Sequence, residues 1–239
     1  YFQNGDPEST VKKLDKAIKL APGVPSYYNN RAQVFMSYLL NPEAAIEPGC
    51  GQQTERPYLK CLGVEALESH LESVRNQPFN YLSQVAAGNS AYNLQLNESA
   101  VKFYGHASGM VPNSWSLRNE FAESLIDNGL YDEALLELDW SLGITAVPHS
   151  CFTWCSARAL HLKGKALYGL GRFDDAANTL KHGFSVNIGS EYSVASLALL
   201  REIYTEQGVL LDIDYFNAAV NKKPQDAIAL YLRGLAHFR

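Results

Sequence analysis

The sequence predicts an all-α protein built from repeated helical hairpins, and the prediction depends on two observations of spacing. Small residues stand 34 positions apart near the start of three successive second helices, at Ala66, Ala100 and Ala134. A proline follows two successive second helices at the same interval, at Pro78 and Pro112. A fixed period of this length is typical of repeat arrays, in which each unit is one supersecondary element.

Two stretches of the sequence, residues 115–146 and 157–187, show the repeated unit most clearly. Each has a small residue midway along its first helix, a glycine at the turn and an acidic start to its second helix. The small residues and the turn glycines are Ala122 and Gly129 in one stretch, and Gly164 and Gly171 in the other. These stretches resemble tetratricopeptide repeats, whose unit is a helical hairpin of ~34 residues. The resemblance implies a right-handed superhelical solenoid of antiparallel helical hairpins.

Packing explains why small residues recur in the first helices. A small side chain lets the two helices of a hairpin approach closely, and larger apolar residues three or four positions away fill the space between hairpins. The small residues expected to do this are Ala32, Gly88, Ala122, Gly164 and Gly234, and the larger ones include Phe35, Leu125 and Leu167. No hairpin can bury its apolar face alone, so the array is stable only when neighbours stack.

The period also predicts how the chain is organised. Residues 1–5 begin with Tyr1-Phe2-Gln3, which resembles the remnant of a protease site from a purification tag, and we exclude them from the fold. Residues 6–239 are expected to form a single array of about five to six hairpins, with half a repeat at each end. Residues 41–57 interrupt the period with Pro, Gly and Gln and are interpreted as an inserted loop. The sequence leaves open whether this loop is disordered or binds a partner.

Composition excludes several classes of protein. Of 239 residues, 46% are apolar and 19% are charged, which excludes a disordered polyelectrolyte. The net charge of −5, without Lys/Arg runs, argues against nucleic-acid binding. No apolar run approaches the ~18 residues that would span a membrane, so no membrane association is expected. The four cysteines, too few for a disulfide scaffold, are interpreted as reduced thiols, which favours a cytoplasmic location.

No catalytic constellation is visible, so no enzyme, cofactor or metal site is predicted. The six histidines are scattered over different hairpins, and Gly164-Lys165 lacks the preceding glycine of a phosphate-binding loop. One cluster could be imagined as a zinc site: His149, Cys151, Cys155 and His161. A second ligand pair of the usual spacing is absent, and small thiols near an inter-repeat loop are the simpler interpretation.

The resemblance implies a candidate binding surface. Tetratricopeptide arrays usually bind peptides or protein segments along a concave face that the first helices line. The residues expected on that face are Asn29, Gln33, Met36, Asn119, Glu123, Arg158, His161, Lys165 and Tyr168. Their mixture of charges, amides and aromatics suits a peptide groove. The alternative is that they form an ordinary solvated helix face.

The expected function is therefore a non-enzymatic scaffold or adaptor that binds a protein or peptide partner. One alternative is a regulatory or substrate-holding segment of a larger enzyme complex. Another is self-assembly, in which residues 227–239 of one molecule dock head-to-tail on residues 6–20 of the next.

Overall fold

A computed structural model describes residues 7–39, 55–145, 152–188, 190–208 and 213–237 of the chain. Over these ranges the chain forms twelve α-helices and no β-strand, which confirms the prediction of an all-α protein. The helices are α1 Pro7–Leu20, α2 Pro25–Leu39, α3 Glu55–Asn76, α4 Tyr81–Asn93, α5 Asn97–Met110, α6 Trp115–Asp127, α7 Tyr131–Thr145, α8 Phe152–Gly169, α9 Phe173–Val186, α10 Glu191–Glu206, α11 Ile213–Lys222 and α12 Ala227–His237.

The chain divides into two compact units. The N-terminal unit is Tyr1–Pro112 and contains α1–α5, and the C-terminal unit is Asn113–Arg239 and contains α6–α12. Within the N-terminal unit, α2 contacts α3 and α4 contacts α5; within the C-terminal unit, α6 contacts α7 and α8 contacts α9. Each unit is thus made of helical hairpins, as the period predicts.

The turn inside a hairpin has one geometry wherever the glycine was predicted. Gly129 and Gly171 adopt left-handed φ angles of 76° and 72°. The next residue donates its N–H back to a carbonyl five residues earlier, from Leu130 to Leu125 at 2.9 Å and from Arg172 to Leu167 at 2.9 Å. This is the Schellman motif, in which glycine avoids the steric cost that a Cβ would bring.

The loops that join one hairpin to the next are also encoded locally. Pro78 and Pro224 follow the ends of α3 and α11, where no helical hydrogen bond has to be made. Two residues later, Asn80 Oδ1 accepts the N–H of Leu82 at 3.0 Å and caps α4. Asp226 Oδ1 caps α12 by accepting two backbone N–H groups, at 3.0 and 3.1 Å. Both caps satisfy donors that a helix start otherwise leaves free.

The core of the N-terminal unit is built from α1, α2 and α3. Its buried residues are Val11, Ala32, Val34, Phe35, Leu62 and Ala66. Arg31 joins the same three helices, since its guanidinium contacts Asp15 Oδ1 at 2.8 Å, Glu65 Oε2 at 3.1 Å and Ser69 Oγ at 2.7 Å. Further along, Gly88 of α4 leaves room for the ring of Tyr104, which would lie 2.9 Å from a Cβ at that position.

The core of the C-terminal unit follows α8–α10 and α12. Its fully or nearly fully buried residues include Leu167, Ala176, Leu180, Leu200, Ile203 and Leu232. Gly164 of α8 lies against Leu180 of α9, and an added Cβ would come within 2.4 Å of Leu180 Cδ2. The close approach predicted at Gly164 is therefore confirmed. At Gly234, by contrast, a Cβ would meet no atom of the described side chains within 4 Å, so these residues do not show the close approach predicted there.

The insertion predicted over residues 41–57 is only partly described. Residues 41–54 lie outside the described residues, as does the tag-like segment at residues 1–5. α3 begins at Glu55, so the last three residues of the predicted loop are helical. The prediction of a loop is wrong for those three positions, where Pro57 falls in the first turn of the helix and tolerates helical geometry.

The cysteines require a correction. Cys61 of α3, the one cysteine whose side chain the structure describes, is disulfide-bonded. The expectation of a reduced thiol is therefore wrong at this position, because spacing in the sequence does not report which thiols meet in space. The cytoplasmic location stays a prediction, and Cys61 lends it no support.

None of the helices over the described ranges is both long enough and apolar enough to cross a bilayer.

Candidate functional site

The first helices of the C-terminal unit lie side by side, since α8 contacts α6 on one side and α10 on the other. Polar side chains of adjacent first helices contact each other, although they lie about one repeat apart in the sequence. We call the following set the first-helix surface: Glu123, Asp127, Arg158, His161, Lys165, Tyr168, Ser196, Glu202 and Glu206. Five of the residues predicted from the sequence belong to it.

Two ion pairs join α6 to α8. Arg158 Nη2 lies 2.9 Å from Glu123 Oε2, and the Arg158 side chain is 15% exposed. Burial opposes the charge of Arg158, but the hydrogen bond and the charge of Glu123 outweigh it and raise the guanidinium pKa. Lys165 Nζ lies 3.7 Å from Asp127 Oδ1. The cations of α8 on this surface are therefore balanced by carboxylates of α6.

Glu120 lies on the same helix as Glu123. Burial raises its pKa, and the nearby charge of Arg158 works against that rise. The guanidinium thus faces two carboxyl groups of α6, of which Glu123 forms the direct pair.

His161 connects α8 to α10 in its neutral form. Its Nδ1 lies 3.1 Å from Ser196 Oγ, and its ring is tilted against that of Tyr192 at a centroid distance of 6.2 Å. Burial, and to a smaller extent the charge of Lys165, lowers its pKa to about 4. The imidazole is therefore uncharged at neutral pH and contributes a polar but neutral wall.

Tyr168 connects α8 to α10 nearer the ends of the two helices. Its hydroxyl lies 2.8 Å from Glu206 Oε1 and 3.1 Å from Glu202 Oε1. The hydrogen bond to Glu206, burial and the hydrogen bond to Glu202 together raise the phenol pKa well above its usual range. The hydroxyl keeps its hydrogen, which it can donate to only one of the two carboxylates at a time.

A groove of 630 Å³ runs between α8 and α10 beside these contacts. Its floor is apolar and consists of Ala195, Ala198 and Leu199. His161 and Lys165 form the wall on α8, and the polar residues on α10 are Arg201, Glu202, Thr205 and Glu206. A concave, mainly apolar groove with a few polar groups at its edge is the usual form of a ligand site.

Asn119, also predicted for the binding surface, is fully buried in α6. Neither its amide nitrogen nor its amide oxygen has a hydrogen-bond partner within the part of the chain that the structure describes. With no exposed atom, it does not line the surface that the other five residues form.

Three predicted residues belong to α2 of the N-terminal unit. Gln33 is exposed, and Asn29 is half-buried with its Oδ1 unpaired among the described residues. Met36 is half-buried, and its Sδ accepts a long contact of 3.9 Å from Ser90 Oγ. None of these three side chains lines the groove between α8 and α10.

Sequence reasoning missed the partners of the predicted residues. Asp127, Ser196, Glu202 and Glu206 stand 34 to 38 positions from the residues they contact. The signal was present, because adding one period to a first-helix residue leads to the neighbouring first helix. The repeat pattern is least regular in α10, so the sequence does not predict which residues of that helix meet His161 and Tyr168.

Three residues of the hypothetical zinc site have side chains outside the described residues: His149, Cys151 and Cys155. Among the side chains that are described, no group of three or more His, Cys, Asp or Glu residues could hold a metal ion.

Comparison with known proteins identifies the fold. No protein-family model and no curated protein sequence matches this chain. Among solved structures, it is similar to YrrB, described as a TPR protein with an unusual peptide-binding site. The TM-score is 0.57 at 14% identity, over 92% of this chain and 97% of that one.

Two further structures show the same likeness. PilW, a type IV pilus biogenesis factor, gives a TM-score of 0.57 at 17% identity, over 88% of this chain and 89% of that one. Cut9, in the APC/C hetero-tetramer Cut9-Hcn1, gives a TM-score of 0.56 at 14% identity. The match covers 97% of this chain and 39% of the Cut9 chain. The repeat spacing, the paired helices and these likenesses agree, and the chain has the tetratricopeptide-repeat fold.

Proposed function

We propose that this chain is a non-enzymatic interaction scaffold that binds a peptide or protein segment along the first-helix surface of its C-terminal unit. The observation that supports this most directly is the 630 Å³ groove between α8 and α10, with an apolar floor and charged groups at its edge. Extended segments are held by such grooves through apolar contacts, while the edge groups select the partner.

The surface is also ordered before any partner arrives. Arg158, His161, Lys165 and Tyr168 each have a partner on a neighbouring first helix. A preorganised surface loses less side-chain entropy when it binds, so more of the contact energy remains as affinity.

Two of the similar proteins support the proposal by analogy. YrrB is described as having a peptide-binding site, and Cut9 as part of a hetero-tetramer with Hcn1. Both descriptions concern those proteins, and they favour a macromolecular partner for this fold. A net charge of −5 favours a protein over a nucleic acid as that partner.

The experiment is a selection of peptides from a random display library on the folded protein, followed by binding measurements with labelled copies. Ala198→Tyr places a ring on the groove floor and should weaken binding about tenfold or more, as expected for loss of a central contact. Asn178→Tyr is the matched control, because Asn178 is also exposed but lies on α9, outside this groove. Equal affinity of the wild type and Ala198→Tyr would contradict the proposal.

A further inference from the structure

We propose that the groove between α8 and α10 receives a lysine or arginine side chain of the partner segment. The aliphatic stem would lie on Ala198 and Leu199, and the cationic head would bind between Glu202 and Glu206. This inference rests on the function proposed above and adds the chemistry of the ligand.

Glu202 and Glu206 are exposed carboxylates that share one hydrogen-bond donor among the described side chains, the hydroxyl of Tyr168. Glu202 and Glu206 are four residues apart on α10, so they lie on one face of the helix and repel each other. Tyr168 can donate its hydrogen to one of them at a time, although its hydroxyl oxygen is near both. Over the described ranges neither carboxylate forms an ion pair. An ammonium or guanidinium group would supply the missing hydrogens and the opposite charge.

The neighbouring groups do not supply that cation. Lys165, on the opposite wall, is already near Asp127. His161 is neutral at neutral pH because burial lowers its pKa to about 4. Arg201 lines the groove, yet it forms no ion pair with either carboxylate.

The charges beside the groove therefore favour a cation. Four charged residues line the groove, the cations Lys165 and Arg201 and the anions Glu202 and Glu206. Lys165 is paired with Asp127, which does not line the groove, so two carboxylates face one unpaired cation. A ligand carboxylate would meet the two acidic groups directly, and like charges at such distances oppose binding.

The apolar floor distinguishes a long cationic side chain from a simple metal or ammonium ion. Ala195, Ala198 and Leu199 present hydrocarbon directly beside Glu202. Lysine and arginine bury their methylene stems on such surfaces while the charged head reaches the polar edge. The groove thus combines the two environments that one basic side chain needs.

The test extends the library selection to the charge of the peptides. Selected peptides should be enriched in lysine or arginine, and replacing that residue by glutamine should weaken binding. The double variant Glu202→Gln/Glu206→Gln should lose about three- to tenfold in affinity, the range for one or two exposed ion pairs. Raising the salt concentration should reduce the difference.

Asp132→Asn/Glu133→Gln is the matched control, since it also removes two exposed carboxylates but lies on α7, outside this groove. It should leave the affinity for a basic peptide unchanged. Selection of acidic or uncharged peptides whose binding Ala198→Tyr abolishes would overturn this inference and leave the proposed function standing. If neither Ala198→Tyr nor Glu202→Gln/Glu206→Gln changed the binding of the selected peptides, both this inference and the proposed function would be overturned.

Discussion

The first helices of the two units have the same packing positions but different surface chemistry. In the N-terminal unit, α2 carries a single charged residue, Arg31, and α4 carries none. Arg31 is directed to the second helices α1 and α3, through Asp15 and Glu65. In the C-terminal unit, charged residues of α6 and α8 pair with each other, as Glu123 does with Arg158.

The difference shows which positions the fold controls. Ala32 and Ala122 occupy the same place in the repeat, and both are completely buried. The charged positions around them are not constrained in this way: Arg31 pairs with carboxylates of second helices, whereas Arg158 pairs with a carboxylate of a neighbouring first helix. The same repeat therefore supports two different roles for its polar residues.

The largest expected effect concerns two histidines, one in each unit. His70 is 4% exposed, with Nδ1 2.8 Å from Ser90 Oγ, and burial lowers its pKa from 6.5 to about 4. Below pH 6.5 the unfolded chain binds a proton at this histidine that the folded chain does not bind. The free energy of unfolding therefore decreases as the pH is lowered. The loss by pH 4 is about 3 kcal/mol. Urea unfolding at several pH values measures how the free energy of unfolding depends on pH, and this dependence should be weaker in His70→Gln.

His161→Gln is the comparison in the C-terminal unit. The pKa of His161 is likewise lowered to about 4, by burial and by the charge of Lys165, so its replacement should flatten the pH dependence of stability to a similar degree. A flattening confined to His70→Gln would show that only the N-terminal unit responds to acid.

The second prediction compares the small residues of two first helices. Gly164→Ala should destabilise the C-terminal unit by about 2 kcal/mol, because the new Cβ would lie 2.4 Å from Leu180 Cδ2 in a packed core. Gly88→Ala should cost less, since the nearest atom is Tyr104 Cε1 at 2.9 Å. Segment-resolved hydrogen exchange can read each unit separately.

Gly109→Ala serves as the control for helix propensity. Nothing lies within 4 Å of a Cβ at Gly109, so alanine there should stabilise α5 by up to about 1 kcal/mol. If Gly164→Ala stabilised the protein as Gly109→Ala is expected to, the close contact between Gly164 of α8 and Leu180 of α9 would be contradicted.

The third prediction compares the arginines. Arg31→Met should destabilise the N-terminal unit by about 1 to 2 kcal/mol, because it removes two ion pairs and the hydrogen bond to Ser69. Arg158→Met should cost about 1 kcal/mol or less, since it breaks one pair with a half-exposed carboxylate. Chemical denaturation of the two variants should rank them in this order, and the reverse order would contradict the contrast between the units.

The smallest expected effect concerns the hairpin turns. Gln95 has a left-handed φ of 59° at the place where Gly129 and Gly171 stand in the C-terminal unit. Gln95→Gly should therefore stabilise the N-terminal unit by up to about 1 kcal/mol, because glycine adopts this conformation without the Cβ penalty. Gly129→Ala should lower the free energy of unfolding by a similar amount, because alanine carries the Cβ penalty at this left-handed φ. Thermal unfolding of both variants tests the pair, and a destabilised Gln95→Gly would show that the Gln95 side chain has a stabilising contact.

Most of the fold could be predicted because its determinants are local and periodic. The turn glycines Gly129 and Gly171, the buried Ala122 and the proline after α3 were all read from spacing. The start of α3 at Glu55 could not be read, since the irregular segment before it has no period to extrapolate.

The candidate site could be predicted only in part. The positions of Arg158, His161, Lys165 and Tyr168 on one helix face follow from helical periodicity. Their partners depend on how far one first helix is shifted along the next, and on side-chain rotamers. A sequence pattern specifies neither, so the pairing of Tyr168 with two carboxylates was found only in the structure.

The sequence by itself determined the repeat, the hairpins and the buried small positions, because each depends on contacts within one hairpin or on a fixed period. The tertiary structure decided which polar residues pair, that Asn119 is buried, that Cys61 is disulfide-bonded and where a groove opens. These features depend on distances between groups that are far apart in the chain. Those distances are set only when the helices pack.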